Sequence, residues 1–443
     1  MIIRRSGVGF GLALLTAWAC TDATPTSQDP DQLPVGAETY EVLLPFEMFA
    51  SDLQSFTGFG SPLVLGNPIV AHQWTDGDGP EGGTLEARTL VRFGPRPDSI
   101  FVVPPGADES QPDHDYEILS GSLTLRFDTT DVAEEDLITV STWATESRWD
   151  RNTASWSMAV DSLGDRVSWP EAGGGPMRSV ASAVWEAVEG DSVAFEIDAA
   201  TLLEWTDREA NFRGLVIRSE TPESRFRVRD IVLRMQVRPS LNPDTTLTLG
   251  PLSRQSTFIH SPQPEANGQV FLVGGTPSWR TTLRLALPEV LDGDEEICQA
   301  VPCPLELRDE EILFASLILS TAATEPQVIR PRSEFPMSAR AVLAPDRLPR
   351  SPLGRSVQAS VRQIAPTLFR SGSEGTVAVP MTPYIREMVR ARLTGEEPPP
   401  NTIAFLAPNE PSGLGVAAFH GPGSPSAPML RIIFTISDGV TAP

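Results

Sequence analysis

Lysine is absent from this chain. All 34 basic residues are arginines, set against 58 Asp and Glu, and the formal charge is -24 at pH 7. No stretch gathers the bases into a stripe. Such a balance repels phosphate backbones, which excludes nucleic acid as a partner class. Histidine is scarce as well: His72, His114, His260 and His420 are scattered, and there is no second cysteine pair. That excludes a zinc site of the usual ligand spacing. There is no Gly-x-Ser-x-Gly elbow, no His-Glu-x-x-His and no phosphate-binding glycine loop. These absences point away from an enzyme. Carboxylates are so numerous that a glycosidase pair is identifiable only by a measured separation.

Proline and glycine, by contrast, are plentiful, with 42 and 34 residues in a chain of 443. Strong helical periodicity is rare. The length exceeds one ordinary core and implies two or three domains of about 100–200 residues each. The composition favours an all-β protein with many turns. The negative charge is the ordinary solubilising charge of a surface-exposed protein.

The N-terminus has the order of an export signal. Arg4 and Arg5 precede a short apolar run, Val8 to Ala17, too short to span a bilayer comfortably. The run ends in Ala17-Trp18-Ala19-Cys20, which resembles a bacterial lipoprotein signal in which small residues precede the cysteine that becomes lipidated. The departure is at Ala17, where that family usually has Leu. The resemblance implies a signal over 1–19 and membrane attachment through Cys20. Thr21 does not resemble the Asp that retains such proteins at the inner membrane, so an outer-membrane or cell-surface position is implied. A plain secretory signal with an incidental cysteine is the alternative. Residues 20–38 are polar, with Pro, Ser, Thr and Asp, a tether composition. Cysteine arithmetic agrees with lipidation: of three cysteines, Cys298 and Cys303 are close enough to close a small disulfide loop in an oxidising compartment, leaving Cys20 over.

The remainder repeats. One repeat, 39–239, opens with TYEVLLPFEMF; the other, 250–437, opens with FIHSPQPEANGQVFLVGG. The strand-like Arg88–Phe93 matches Arg280–Pro288, Glu117–Leu125 matches Glu311–Leu319, and Ser192–Phe195 matches Thr376–Val379. Each later strand is followed by a helical spacing of apolar residues: Leu202, Leu203 and Trp205 in the first, Ile385, Met388, Val389 and Leu393 in the second. Thr382-Pro383 has the character of a helix start. Alternating strands need a second sheet to cover their apolar face. The expectation is therefore two tandem jelly-roll-like β-sandwich domains, each with a short capping helix. The stretch Gln327–Arg370, with Pro331, Pro336, Pro345, Pro349 and Pro352, is expected to be loop.

This order, with Trp149 and Ser155-Trp156 between the early and late strands, resembles the DNRLRE-type, carbohydrate-binding-module-like domains of bacterial surface proteins. The second repeat lacks the Trp segment. The resemblance implies a non-enzymatic surface protein with a structural or adhesive, glycan-binding role. The alternatives are a polysaccharide-active enzyme or its accessory module, and an envelope assembly subunit; the partner is accordingly a polysaccharide or an envelope protein. Trp143, Trp149, Trp156, Trp169, Trp185 and Trp205 fall in one repeat, and core packing is the ordinary fate of each. Trp169, in VSWPEAGGGP, and Trp74, in HQWTDGDG, are the expected exposed platforms for a sugar. Asp76 and Asp78, and Asp292 and Asp294, could offer oxygens to calcium, but neither stretch completes a known ligand spacing and a solvated turn is the ordinary reading. No other cofactor is implied. Replacing the lipid attachment residue, Cys20→Ser, is predicted to abolish fatty-acid labelling and release the protein from membranes; unchanged retention would remove the anchor.

Overall fold

The computed structural model describes residues 37–437 apart from 58–67, 76–81, 129–136, 163, 208–213, 251–253, 277, 293–297, 299–302, 359 and 409–412. The expected signal, most of the tether, Cys20, Asp76, Asp78 and Asp294 lie outside the described residues. The chain is all-β and sandwich-like, and every strand pairing among the described residues is antiparallel.

One ten-stranded sheet is built from residues 69–261 and is curled on itself. The long strand Ser224–Arg238 shows why. Phe226, Val228, Ile231, Leu233, Met235 and Val237 are buried, and the register shifts twice, between Val228 and Asp230 and between Gln236 and Val237. Those side chains meet Val140, Leu215 and Ile217 from the far half of the same sheet in a single core. Trp185 lies 4.3 Å from Phe127 and 5.5 Å from Phe226, ring centre to ring centre. The outer face is partly covered too. The segment between Thr145 and Met177 folds back so that Trp149 and Trp169 pack on Leu90, Val216 and Ile259. Double coverage explains why Gly214–Ser219, GLVIRS, is almost wholly buried rather than alternating.

The second unit has two six-stranded sheets around a separate core. One sheet runs Ala37–Pro45, Met429–Ser437, Ile312–Ala322, Val416–His420, Val270–Gly274, with Thr376–Pro380 beside Ile312–Ala322. The other runs Ala50–Phe56, Arg280–Leu285, Thr402–Leu406, Phe335–Val342, Leu353–Ser356, with Arg362–Ile364 beside Phe335–Val342.

The matched strands have matching partners. Glu117–Asp128 lies between Ser192–Asp198 and Ser224–Arg238, and Ile312–Ala322 lies between Thr376–Pro380 and Met429–Ser437. Both helices form, at Ala199–Thr206 and Thr382–Thr394. Asp198 caps the first by accepting from the Thr201 amide. Thr382 does not cap the second; its Oγ1 accepts from the Ala315 amide instead. Leu203 and Leu393 are exposed, so Leu202 and Trp205, and Ile385 and Val389, are the residues that seat the helices.

Two expectations need correction. The first is the tandem boundary at 239–250. Ala37–Pro45 pairs with Met429–Ser437, and Ala50–Phe56 with Arg280–Leu285, both in the second unit. Reciprocally, Leu247–Leu249 pairs with Ser224–Arg238, and Arg254–Ser261 with Thr84–Phe93, both in the first. Each repeat's opening strands therefore complete the other repeat. The physical reason is the apolar content of the N-terminal segment: Leu44, Phe46, Phe49 and Ala50 are all buried in the second unit's core. The second correction is Gln327–Arg370, which carries three strands. Pro336 is accommodated because it sits next to the start of Phe335–Val342, where only Arg362–Ile364 lies alongside.

Burying Leu44, Phe46 and Phe49 is worth about 1.5–3 kcal/mol each, a large share of the about 5–15 kcal/mol that holds a domain folded. Deleting residues through 56 is therefore predicted to unfold the second unit. Thermal denaturation followed by near-ultraviolet circular dichroism checks this; a truncated chain that keeps its full signal would contradict the strand exchange.

Candidate functional site

The two units meet at an apolar seam. Ile69, Ala71, Leu85, Ala87 and Phe258 of the first unit pack on Val328, Ile329 and Leu414 of the second, with Trp74 partly buried against them. Beside the seam opens a cleft of about 740 Å3. Arg225 and Arg227 project into it from the first unit, Arg330 and Arg332 from the second. Glu334 is the one carboxylate in the lining among the described residues. In a chain of net charge -24, a lining that brings four guanidiniums together is unusual.

The strand period explains the placement. In SRFRVRD, Phe226 and Val228 turn into the core, which sends Arg225 and Arg227 to the opposite face. Arg330 follows a short 3-10 turn, Gln327–Ile329, in extended conformation (φ -63°, ψ 157°), and Pro331 separates it from Arg332. Arg330 is nearly buried and donates to the Gln327 carbonyl at 3.4 Å.

Trp74 is held by a distortion. The ladder between Ile69–Thr75 and Thr84–Phe93 slips between Ala71 and Trp74, and Gln73 takes a left-handed φ of 47°. Glu86 stabilises that turn by accepting from the Gln73 amide at 2.9 Å, and Glu223 accepts from the amide and hydroxyl of Thr75. The indole carries two guanidiniums, Arg332 at 4.5 Å and Arg225 at 4.8 Å from the ring centre. Trp74 thus brings one arginine from each unit to the same ring, at about 0.5–2 kcal/mol per contact. It positions cations rather than offering a bare platform.

His260 stiffens the wall behind the cleft. It is fully buried at the end of Arg254–Ser261; its Nε2 lies 2.6 Å from the Thr276 carbonyl and its Nδ1 3.0 Å from that of Pro262. Thr276 in turn donates to the carbonyl of Gly413 at the cleft edge. A neutral imidazole has one N–H, so it donates to one of these carbonyls and meets the other lone pair to lone pair. Burial dominates, and pushes the His260 pKa down to about 4 despite the two carbonyls.

The other sites expected from sequence are distributed differently. Trp169 is buried, 5 % exposed, with its indole N–H donated to the Ser155 carbonyl, so it is no exposed platform. The apolar outer face of the sheet, not the glycine-rich loop, decides its position. Trp143 and Trp156 are half-buried beneath Arg218 and Arg88, respectively. A small pocket of about 90 Å3 lies nearby, between His72, Glu86, Arg88, Arg218 and Glu220. Burial pushes the Glu220 carboxyl up, but hydrogen bonds from Ser141 and Arg218 outweigh it and hold the group below its ordinary range. Cys298 and Cys303 form a disulfide. Asp292 is exposed, and no group of three metal-binding side chains occurs among the described residues. Sequence reasoning missed the four arginines. Their signal was the alternation Arg-x-Arg, but it also occurs at Arg227–Arg229 and Arg390–Arg392, and the strand exchange is what brings these two pairs together.

No protein-family model matches the chain, and no curated protein matches it in sequence. Among solved structures, a chain of the T13 infectious bursal disease virus particle is 12% identical over 93% of this chain and 77% of that one, with a TM-score of 0.14. A chain of the Gt strain of the same virus is 12% identical over 89% and 72%, with a TM-score of 0.12. A chain described as BspA_C_WT is 7% identical over 76% and 90%, with a TM-score of 0.11. Similarity at this level carries no argument about fold or function.

The buried imidazole makes the seam acid-sensitive. The folded pKa is depressed, so its contribution is complete above the unfolded value of about 6.5 and is lost as pH falls toward about 4. The predicted loss is about 3 kcal/mol, read as the difference between the melting profiles of the native chain and His260→Gln over that range. Parallel profiles would contradict it.

Proposed function

We propose that the chain is a non-enzymatic, lipid-anchored cell-surface protein with a structural or adhesive role, and that it engages an anionic partner at the seam cleft. The observation that carries this reading is the convergence of Arg225, Arg227, Arg330 and Arg332 from two units on one cleft. Guanidiniums present planar pairs of donors matched to carboxylate, sulfate and phosphate oxygens. We read the two β units as jelly-roll-like sandwiches of the DNRLRE type; the matching neighbours of Glu117–Asp128 and Ile312–Ala322 support that reading.

Anchoring at Cys20 adds a geometry. The 17 residues from Cys20 to Ala37 reach at most about 60 Å when extended, and they lead into Ala37–Pro45 of the second unit. The tether would therefore join the membrane to the second unit.

The test is binding of the mature chain to immobilised acidic and neutral polymers at about 50 and about 200 mM salt. Retention on at least one acidic polymer is predicted, weakened by salt and lost at least tenfold in Arg227→Gln/Arg332→Gln. Binding that ignores both salt and the double substitution would sink the reading, as would no retention at all.

A further inference from the structure

A second pocket lies in the first unit and shares no lining residue with the seam cleft. We propose that this pocket, between His72, Glu86, Arg88, Arg218 and Glu220, binds a neutral ligand through adjacent hydroxyls, as a sugar or another polyol carries them. The site goes beyond the anionic partner of the cleft and does not depend on it.

Strand order makes the pocket. Arg254–Ser261 occupies one edge of Thr84–Phe93, so Ile69–Thr75 and Gly214–Ser219 share the other. The pocket, about 90 Å3, is lined by residues of both where they meet. Two non-glycine residues of left-handed φ border it: Gln73, at 47°, follows His72, and Glu223, at 57°, closes the turn after Glu220. Glu223 ties the two segments together by accepting from the Thr75 amide. Strain of this kind persists where the surroundings impose it, and it gathers at binding sites.

The walls are fixed as well. Arg88 donates to the Gly173 carbonyl and stacks on Trp156, and a Cβ at Gly173 would lie 2.9 Å from that ring. Opposite, Arg218 stacks on Trp143, whose indole donates to Ser141, which in turn donates to Glu220.

The polar atoms left over define the ligand. Glu220 accepts from Ser141 and Arg218 through Oε1, and its Oε2 accepts no hydrogen bond among the described residues. His72 meets Glu86 through Nδ1, leaving Nε2. Arg88 donates only through Nη1 and Arg218 only through Nε, again among the described residues. Donors and an acceptor thus line one small space, and a hydroxyl is the neutral group that does both. With the imidazole neutral, two carboxylates balance two guanidiniums. An anion would meet Glu86 and Glu220, and a cation would meet Arg88 and Arg218. A zwitterion would have to part Arg218 from Glu220, 2.7 Å away. Ala71 is the one apolar side chain in the described lining, which disfavours an apolar ligand. The volume suits about three water-sized groups, the hydroxyl edge of one ring.

The experiment is saturation-transfer difference NMR of the mature chain with three sets of probes, each up to about 10 mM. The sets are the methyl glycosides of glucose, galactose, mannose and N-acetylglucosamine; sorbitol; and acetate, ethylammonium and glycine. Native chain, Glu220→Gln, His72→Gln and the surface control Arg166→Gln are compared, each with its melting temperature. At least one glycoside or sorbitol is predicted to bind at least fivefold tighter than every charged probe. Binding of glycosides alone assigns a saccharide, and binding of sorbitol alone an open-chain polyol. Glu220→Gln and His72→Gln are each predicted to weaken it at least fivefold at unchanged melting temperature, and Arg166→Gln to leave it unaltered. If Glu220→Gln melts early, His72→Gln decides. Silence of every hydroxylated probe, equal or tighter binding of a charged one, or binding that neither lining substitution weakens overturns the proposal.

Discussion

Nine residues at the start of the described chain, Ala37–Pro45, lie antiparallel along its last nine, Met429–Ser437, and that ladder joins both to one sheet. The apolar side chains that follow, Phe46 and Phe49, are buried in the core between the two sheets of the second unit. The opening strand of the second repeat makes the complementary move, Arg254–Ser261 lying along Thr84–Phe93. Neither repeat is then complete by itself. Exchange of this kind holds the units side by side through covalent crossings and shared sheets, not through a docking surface alone.

The seam follows from that exchange, and the cleft follows from the seam. Arg254–Ser261 brings Phe258 into the apolar contact and leaves His260 wedged against Thr276 of the other unit. The same juxtaposition sets Arg225 and Arg332, far apart in sequence, over one indole. Like charges held close repel, and the ring quadrupole offsets part of that repulsion.

Much of the fold was legible in the sequence because strand and helix periods are local. The alternation in Glu117–Asp128 and Ile312–Ala322, and the spacing of Ile385 and Val389, read correctly as strands and helix. Pairing partners are not local, so the order of the strands could be read and the exchange could not. The proline-rich middle of the second repeat misled because proline's cost depends on which neighbour a strand has at that position, as Pro336 shows. The site was less legible. Trp74 stood out as a large aromatic in a polar loop, but its role is set by two arginines that reach it from distant segments. Trp169 looked exposed because its sequence neighbours are Pro and Gly; Leu90, Val216 and Ile259, which bury it, lie on three separate strands.

The account stands on the seam cleft being the binding surface, and amide hydrogen exchange of the mature protein with and without an acidic polymer that retains it measures that position directly. Slowed exchange is predicted in the segments around Arg225–Arg227, Arg330–Phe335 and Gly413–Gly415, with the Trp-rich segment 146–176 unchanged. Protection confined to 146–176, or spread evenly over the surface, would contradict the account.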